Sequence, residues 1–312
     1  MQPLCFFNSC NVGAFRPQGR LPLVSTTTRA VGVSTILLTS AAMIAFAANS
    51  LLCRMALGAH LIDAATFTAV RLGCGAVFLA VLVVFTRPGP FRLPADAIAV
   101  GALFGYAIAF SFAYLGLSAG TGALILFGAV QITMIGAGLL QHEQLPPLGW
   151  SGLLLACAGL VALLAPGVTA PPLVSALLMA LAGVAWGIYS LRGRKAPDPL
   201  KATAANFVWT VPLALLSVAI FARPPQASTR GLVLAATSGA IASGLGYVIW
   251  YSALVRLRAI AAASVQLSVP VIAAVGGVLF LGERASLRLV LASLAVLGGI
   301  ALVLRARQVR RG

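Results

Sequence analysis

Two amides and a guanidinium, Gln131, Gln266 and Arg71, interrupt long apolar runs of this chain. An amide carries donors and an acceptor, and in apolar surroundings it must bond a neighbouring helix or face a polar cavity. Gln131 lies at the centre of its run and Gln266 about one helical turn from the centre of its own. Both are candidates to line a cavity, with interhelical bonding as the alternative reading. Arg71 stands about 5 Å from the centre of its run at ~1.5 Å per residue. There it either receives an anionic group such as a carboxylate or is held structurally by helix-end carbonyls. Aromatic residues supply the apolar counterpart: Phe46 and Asn49 are three apart and share a helix face, as do Trp186 and Tyr189. Tyr106, Phe110, Phe127, Tyr247 and Trp250 add further rings. Trp and Tyr also form belts at membrane interfaces. Tyr106 and Trp186 fall too near mid-run for that role, whereas Tyr189 and Trp250 do not. These types together suit a small zwitterionic or neutral polar solute with apolar flanks.

The acids point the same way by their positions. Asp63, Asp96, Glu143, Asp198 and Glu283 all fall at the ends of apolar runs or between them. A proton relay needs a carboxylate or His inside the membrane, and a prenyl or phosphoryl transferase needs clustered carboxylates for Mg²⁺. The chain has neither pattern, nor the glycine-rich P-loop of an ATP-driven pump. His60 and His142 lack metal-spaced partners, and the five cysteines show no Cys-x-x-Cys spacing. No metal, cofactor or disulfide framework is therefore expected. Glu143 and Glu283 each stand a few residues before a new run, where a negative charge meets the positive end of a helix dipole, so a capping role is expected for both.

The elements that must position these residues follow from composition. Hydrophobic residues make up 61% and charged residues 8% of the chain, with a mean hydropathy of +1.04; soluble domains are roughly 45–50% apolar and about 25% charged. This is the composition of a polytopic membrane protein. The formal charge of +16 would suit nucleic acid if the basic residues clustered on one face with stacking aromatics. They fall between the apolar runs instead, so no nucleic-acid partner is expected. Ten runs have close to the roughly 20 residues that cross a bilayer, at 31–53, 63–86, 97–117, 121–140, 148–166, 172–192, 202–222, 231–254, 259–281 and 287–304. Pro146-Pro147, Pro171-Pro172 and Pro224-Pro225 punctuate them. Residues 1–30, with Pro and Arg but no acid, read as a disordered cytoplasmic tail, with a transit peptide or a misassigned start as alternatives. Lys and Arg crowd the loops on the N-terminal side, while the opposite side carries only Arg54, Arg223, Arg230, Arg284 and Arg288. The bias places both termini in the cytoplasm. Gly101/Gly105, Gly116/Gly120 and Gly183/Gly187 read as small-residue contacts between helices.

A single constant shift in numbering brings Ala123 onto Ala263, Gly136 onto Gly276, Glu143 onto Glu283 and Phe46 onto Trp186. The chain thus reads as two units of five runs, and an odd-numbered unit forces its copy to enter the membrane upside down. The expected fold is an all-α membrane protein with ten transmembrane helices as two inverted five-helix repeats. The repeats cover 31–166 and 172–304, ahead of a basic cytoplasmic tail at 305–312.

Gly246-Tyr-Val-Ile-Trp-Tyr-Ser-Ala-Leu254, followed by Gln266-Leu-Ser-Val-Pro-Val271 and Leu281-Gly-Glu283, resembles the EamA-type transporters of the drug/metabolite transporter superfamily. The resemblance extends from about 31 to 304. The first half departs from the second by having Val130 in place of Pro270 and Gln141-His-Glu143 in place of Leu281-Gly-Glu283. The resemblance implies a secondary carrier of small metabolites, amino acids or other amphipathic solutes, working by alternating access and in the export direction. Its substrate path would run between the halves, lined by runs one, three, four, six, eight and nine. The resemblance also implies an Arg near position 71 outside that path, which favours a structural or gating role for Arg71 beside Glu143, Pro270 and Glu283. Pro270 would pre-bend or hinge its helix. The expected partners are a small-molecule metabolite and the bilayer of the cell (inner) membrane, with the protein a monomer or homodimer. A membrane sensor or scaffold and an integral-membrane enzyme are the competing classes.

Overall fold

Apolar runs fold as helices because, away from water, each backbone N–H and C=O must find its partner within the run. The computed structural model describes residues 33–87, 96–140, 144–167, 170–193, 196–222, 227–254 and 265–309. The expected tail at 1–30, Glu143 and the first part of the ninth run lie outside the described residues. The helices are α1 (Val33–Gly58), α2 (Ala64–Thr86), α3 (Ala97–Ala113), α4 (Ala119–Leu140), α5 (Pro147–Leu164), α6 (Leu173–Gly193), α7 (Pro199–Phe221), α8 (Thr229–Thr237), α9 (Gly246–Leu254), α10 (Ser268–Leu281) and α11 (Leu287–Val309), with a π-helical segment, Ser238–Leu245, joining α8 to α9. No strand occurs among the described residues. Eight helical stretches are long and apolar enough to cross a membrane, α8 to α9 counting as one; α3 and α10 are apolar but shorter.

Starts and stops follow capping chemistry. The carboxylates of Asp63, Asp96 and Asp198 and the hydroxyl of Ser228 accept first-turn N–H groups of α2, α3, α7 and α8, each such cap contributing about 1 kcal/mol. At the end of α10, Gly282 takes a left-handed φ of 64°, and Glu283 N–H donates to Gly277 O at 3.1 Å. A glycine in the left-handed region closes the helix there, where a Cβ would be strained.

Two elements differ from expectation. The eighth run is not one α-helix, because its Ser238-Gly-Ala-Ile-Ala-Ser-Gly-Leu245 stretch widens into a π-helix. Gly239 lies so close to the backbone carbonyl of Arg71 that a Cβ there would collide with it. Pro270, expected to pre-bend or hinge its helix, occupies the first turn of α10, whose N-cap is Leu267. Its missing N–H cannot bond the Gln266 carbonyl, so the helix begins afresh just before it. The last helix also runs on to Val309, into the expected tail.

Helix pairing fixes where the residues meet. α2 packs on α7, α3 and α4 on α6, α1 on α9 and α10, α4 on α10, and α5 on α11. Glycines permit the closest of these approaches: a Cβ at Gly183 would lie 2.5 Å from Leu126 O, and one at Gly152 2.5 Å from Gly299 O. The Gly101/Gly105 pair does not act this way. A Cβ at Gly101 would meet nothing within 4 Å, and one at Gly105 only Ala185 at 4.0 Å.

Contacts between loops sort the helix ends into two sets. At one end Ile62 bridges Ala227, Arg54 reaches Tyr114 O and Glu283, and Arg288 donates to Ala165 O. At the other, Arg192 pairs with Asp96 at 2.8 Å and Arg87 with Asp198 at 3.5 Å.

Candidate functional site

Where α1, α3, α4, α6, the π segment and α9 converge, Phe46, Asn49, Tyr106, Phe110, Phe127 and Trp186 line one chamber. The sequence marked each of these as a candidate. Ring packing builds the walls. Trp186 stacks on Tyr247 at 5.1 Å and tilts onto Tyr106 at 4.9 Å, while Phe46 meets Trp186 edge-on at 6.5 Å and Tyr247 at 6.0 Å. Such aromatic pairs contribute about 0.5–1.5 kcal/mol each beyond their burial. The space left between them is about 20 Å³, room for about one water. In this conformation the chamber is filled by its own side chains.

A larger groove of about 490 Å³ runs between α1, the π segment, α9 and Phe280. Its walls are apolar apart from Thr237, and Ile44, Ile241 and Phe280 stand exposed on it. It lacks the convergent polar groups that orient a solute, so the smaller chamber is the candidate site.

The remaining candidates lie beside the chamber. Tyr189 is buried against Trp186 at 5.5 Å, and Trp250 against Phe46 at 6.0 Å; neither lines the void. Gln131 is buried on α4 one turn beyond Phe127, and Gln266 is half-buried ahead of α10. Neither amide reaches the chamber wall in this conformation. Tyr247, one of the rings the sequence singled out, also lines the chamber, as do Ser50, Leu126, Ala242 and Ser243, which were not among the candidates. Helical spacing could have found one of them, since Ser50 follows Phe46 by four residues.

A polar chain runs along one wall. Ser238 Oγ donates to Asn49 Oδ1 at 2.6 Å, and Asn49 Nδ2 donates to the Tyr106 hydroxyl at 3.2 Å. Arg71, only 2% exposed, donates from Nη2 to the same hydroxyl at 2.9 Å and from Nε to Ser243 Oγ at 3.3 Å. Its guanidinium carbon stands 5.1 Å from the Tyr106 ring centre and 5.0 Å from that of Phe110, within cation–π range. Arg71 Nη1 is buried without a partner. The structural reading of Arg71 expected helix-end carbonyls as its partners; its hydrogen-bond partners are the side chains of Tyr106 and Ser243. Holding such a charge in a membrane interior costs roughly 2.5–3.5 kcal/mol even on the gentler insertion scale.

Glu283 caps a helix, but not the one that follows it in sequence. Its carboxylate accepts the N–H of Ala119, the first residue of α4, at 2.8 and 3.1 Å, and pairs with Arg54 Nε at 3.2 Å. The start of α11 is served by Ser286, which accepts from Leu289 N–H at 3.1 Å. Glu283 thereby ties α10 to α1 and α4 at one end of the chamber.

A membrane-embedded helical bundle with an aromatic chamber between its spans defines the general class of an integral membrane protein built around an internal site. The model of the EamA-like transporter family matches residues 173–305. The chain is also 54% identical over 273 residues to the uncharacterized protein PA1977 of Pseudomonas aeruginosa, an alignment covering 88% of this chain and 95% of that protein. A solved crystal structure of a protein shares the fold with a TM-score of 0.66 at 21% identity, covering 88% of this chain and 98% of that one. Residues 173–305 thus carry the likeness to the EamA-like transporter family, and the chain is a multi-pass membrane protein.

Proposed function

We propose that this protein is a secondary carrier that moves small amphipathic metabolites across the cell's inner membrane, with export as its direction. The observation that carries the reading is the chamber: six helical elements from both halves of the chain converge on it, and rings surround a few oriented polar groups. Phe46, Asn49, Tyr106, Phe110, Phe127 and Trp186 contact the solute, with Tyr189 and Trp250 supporting the rings from behind. Gln131 and Gln266 join the path when the spans part. The near-absence of free space supports a closed state in an alternating-access cycle.

Helix pairing supports inverted halves. α3 meets α6 as α1 meets α9, α4 meets α6 as α1 meets α10, and α2–α7, α4–α10 and α5–α11 pair each element with its counterpart. A two-fold relation between the first five and last five spans gives that pattern. The bias of Lys and Arg toward the loops on the N-terminal side supports cytoplasmic termini.

The test is reconstitution of the full chain into vesicles supplied with a metabolite mixture, with the contents read by mass spectrometry. A defined solute should accumulate above protein-free vesicles and exchange in counterflow without a pH gradient. Trp186→Ala should weaken its uptake by about tenfold, one aromatic contact of ~1.5 kcal/mol, with unchanged elution of the purified protein. Vesicles that take up no solute, although the protein in them is folded, would overturn the carrier reading.

A further inference from the structure

We propose that Arg71 is the chamber's anion receiver and that the solute carries a carboxylate; the inference rests on the carrier reading and names its substrate class. Arg71 is 2% exposed, yet its two hydrogen-bond acceptors, the hydroxyls of Tyr106 and Ser243, are neutral. No carboxylate among the described residues approaches it. Asp63, Asp96 and Asp198 cap helix starts, and Glu283 is engaged by Ala119 and Arg54. A buried cation without a counter-charge is poorly stabilised by neutral partners alone. One guanidinium nitrogen, Nη1, remains buried and unpartnered.

Three residues that touch the guanidinium, Tyr106, Phe110 and Ser243, are themselves part of the chamber wall. The charge therefore stands one side chain behind the void, on the side where the wall is hydroxylic. The Tyr106 hydroxyl accepts from both Asn49 and Arg71, which leaves its own proton to be donated to an oxygen in the chamber. A planar carboxylate matches a guanidinium fork better than any neutral group of its size. The rings of Phe46, Trp186 and Phe127 offer apolar faces for the rest of such a solute. The substrate class is a small monocarboxylate with an aromatic or aliphatic body.

A matched pair of probes that differ only at the carboxyl group tests this: 3-phenylpropionate and 3-phenylpropionamide, titrated into the purified full chain by calorimetry. Wild type should bind the carboxylate at least about tenfold more tightly than the amide. Arg71→Gln should lose that preference while still binding the amide. Arg71→Lys keeps the charge but loses the fork, and should fall between the two. Should Arg71→Gln not fold, the wild-type comparison and Arg71→Lys still decide.

Equal affinity of wild type for the two probes, or an undiminished preference in Arg71→Gln, would overturn the proposal. So would sodium chloride binding as tightly as the carboxylate, which would make the site one for an inorganic anion. The two readings fail separately. A carrier that moves solutes with no carboxylate preference loses only the role of Arg71. A protein that binds the carboxylate by Arg71 but moves nothing across vesicles loses the carrier reading.

Discussion

The third and eighth spans, counterparts in the proposed arrangement of two halves, are built differently. α3 is an unbroken α-helix from Ala97 to Ala113, whereas its counterpart passes through a π-helical segment at Ser238–Leu245. The same contrast separates the fourth and ninth spans: α4 is continuous from Ala119 to Leu140, while α10 begins at Ser268 with Pro270 in its first turn. The first half thus supplies regular walls, and the second supplies the irregular backbone. Both polar partners that the second half lends to the chamber chain, Ser238 and Ser243, sit on the π segment. Irregular helical turns concentrate at functional sites because they can rearrange with small changes in hydrogen bonding. On the proposed carrier reading, the eighth and ninth spans would be the parts that move, closing against the face of Asn49, Tyr106 and Arg71.

The largest expected effect comes from imposing the second half's proline on the first. Val130 is fully buried within α4, where a proline removes an interior bond and clashes with the preceding turn at a cost of ~3 kcal/mol or more. Val130→Pro should sharply lower the melting temperature in detergent. Pro270→Ala should leave melting nearly unchanged, since in the first turn the missing N–H has no helical partner to lose, but should slow transport. A Pro270→Ala variant that transports at the normal rate would break the assignment of motion to the ninth span.

Next in size is the contact beneath the π segment. Gly239 lies against the Arg71 backbone, and Gly101 on α3 has open space. Gly239→Ala should cost about 1–3 kcal/mol as overpacking. Gly101→Ala should stabilise by roughly 0.5–1 kcal/mol through helix preference alone. Thermal unfolding of the two variants checks the pair, and equal effects would erase the contrast between the spans.

The spans themselves were legible because an apolar run of about 20 residues in lipid has no choice but to be helical. α2 and α4 end where the sequence placed their ends. The π segment was not legible, because a run of Ser, Gly and Ala is equally compatible with a plain α-helix. Phe46, Asn49, Tyr106 and Trp186 were readable from polarity, ring type and helical spacing as residues that face one another, and they line one chamber. Ser243 was not, since a serine in a membrane helix ordinarily bonds its own backbone. Gln131 and Gln266 drew attention by being amides, yet the wall uses Asn49 and hydroxyls. Capping by Glu283 was legible as chemistry. Its target, Ala119, depends on which helices meet, and sequence proximity pointed to the wrong one.

The smallest expected effect lies at the end of the bundle away from Glu283. There the Arg192 guanidinium holds the Asp96 carboxyl below the usual carboxylate range, helped by the N–H groups of Ala99 and Ile98. Asp96 is the N-cap of α3 and Arg192 closes α6, so the pair spans the two halves. A group whose folded pKa is depressed contributes stability that is present above its unfolded value, about 3.9 for Asp, and is lost as pH falls through the folded value. Both side chains are well exposed, at 44% and 38%, so solvent and salt screen the pair and its contribution is slight. Asp96→Asn retains a capping side chain and removes only the charge. It should melt slightly below wild type at pH 7 in low salt, and the difference should shrink as pH falls below the usual carboxylate range. By contrast, Glu283 faces the partly buried Arg54 and the N–H of Ala119 with a carboxylate less exposed than that of Asp96, so losing its charge is less screened by solvent. Glu283→Gln should therefore exceed Asp96→Asn in its effect on melting at pH 7. If the order were reversed, the clamp at Glu283 would not be the tighter end, and the hinge would have to lie there instead of in the π segment.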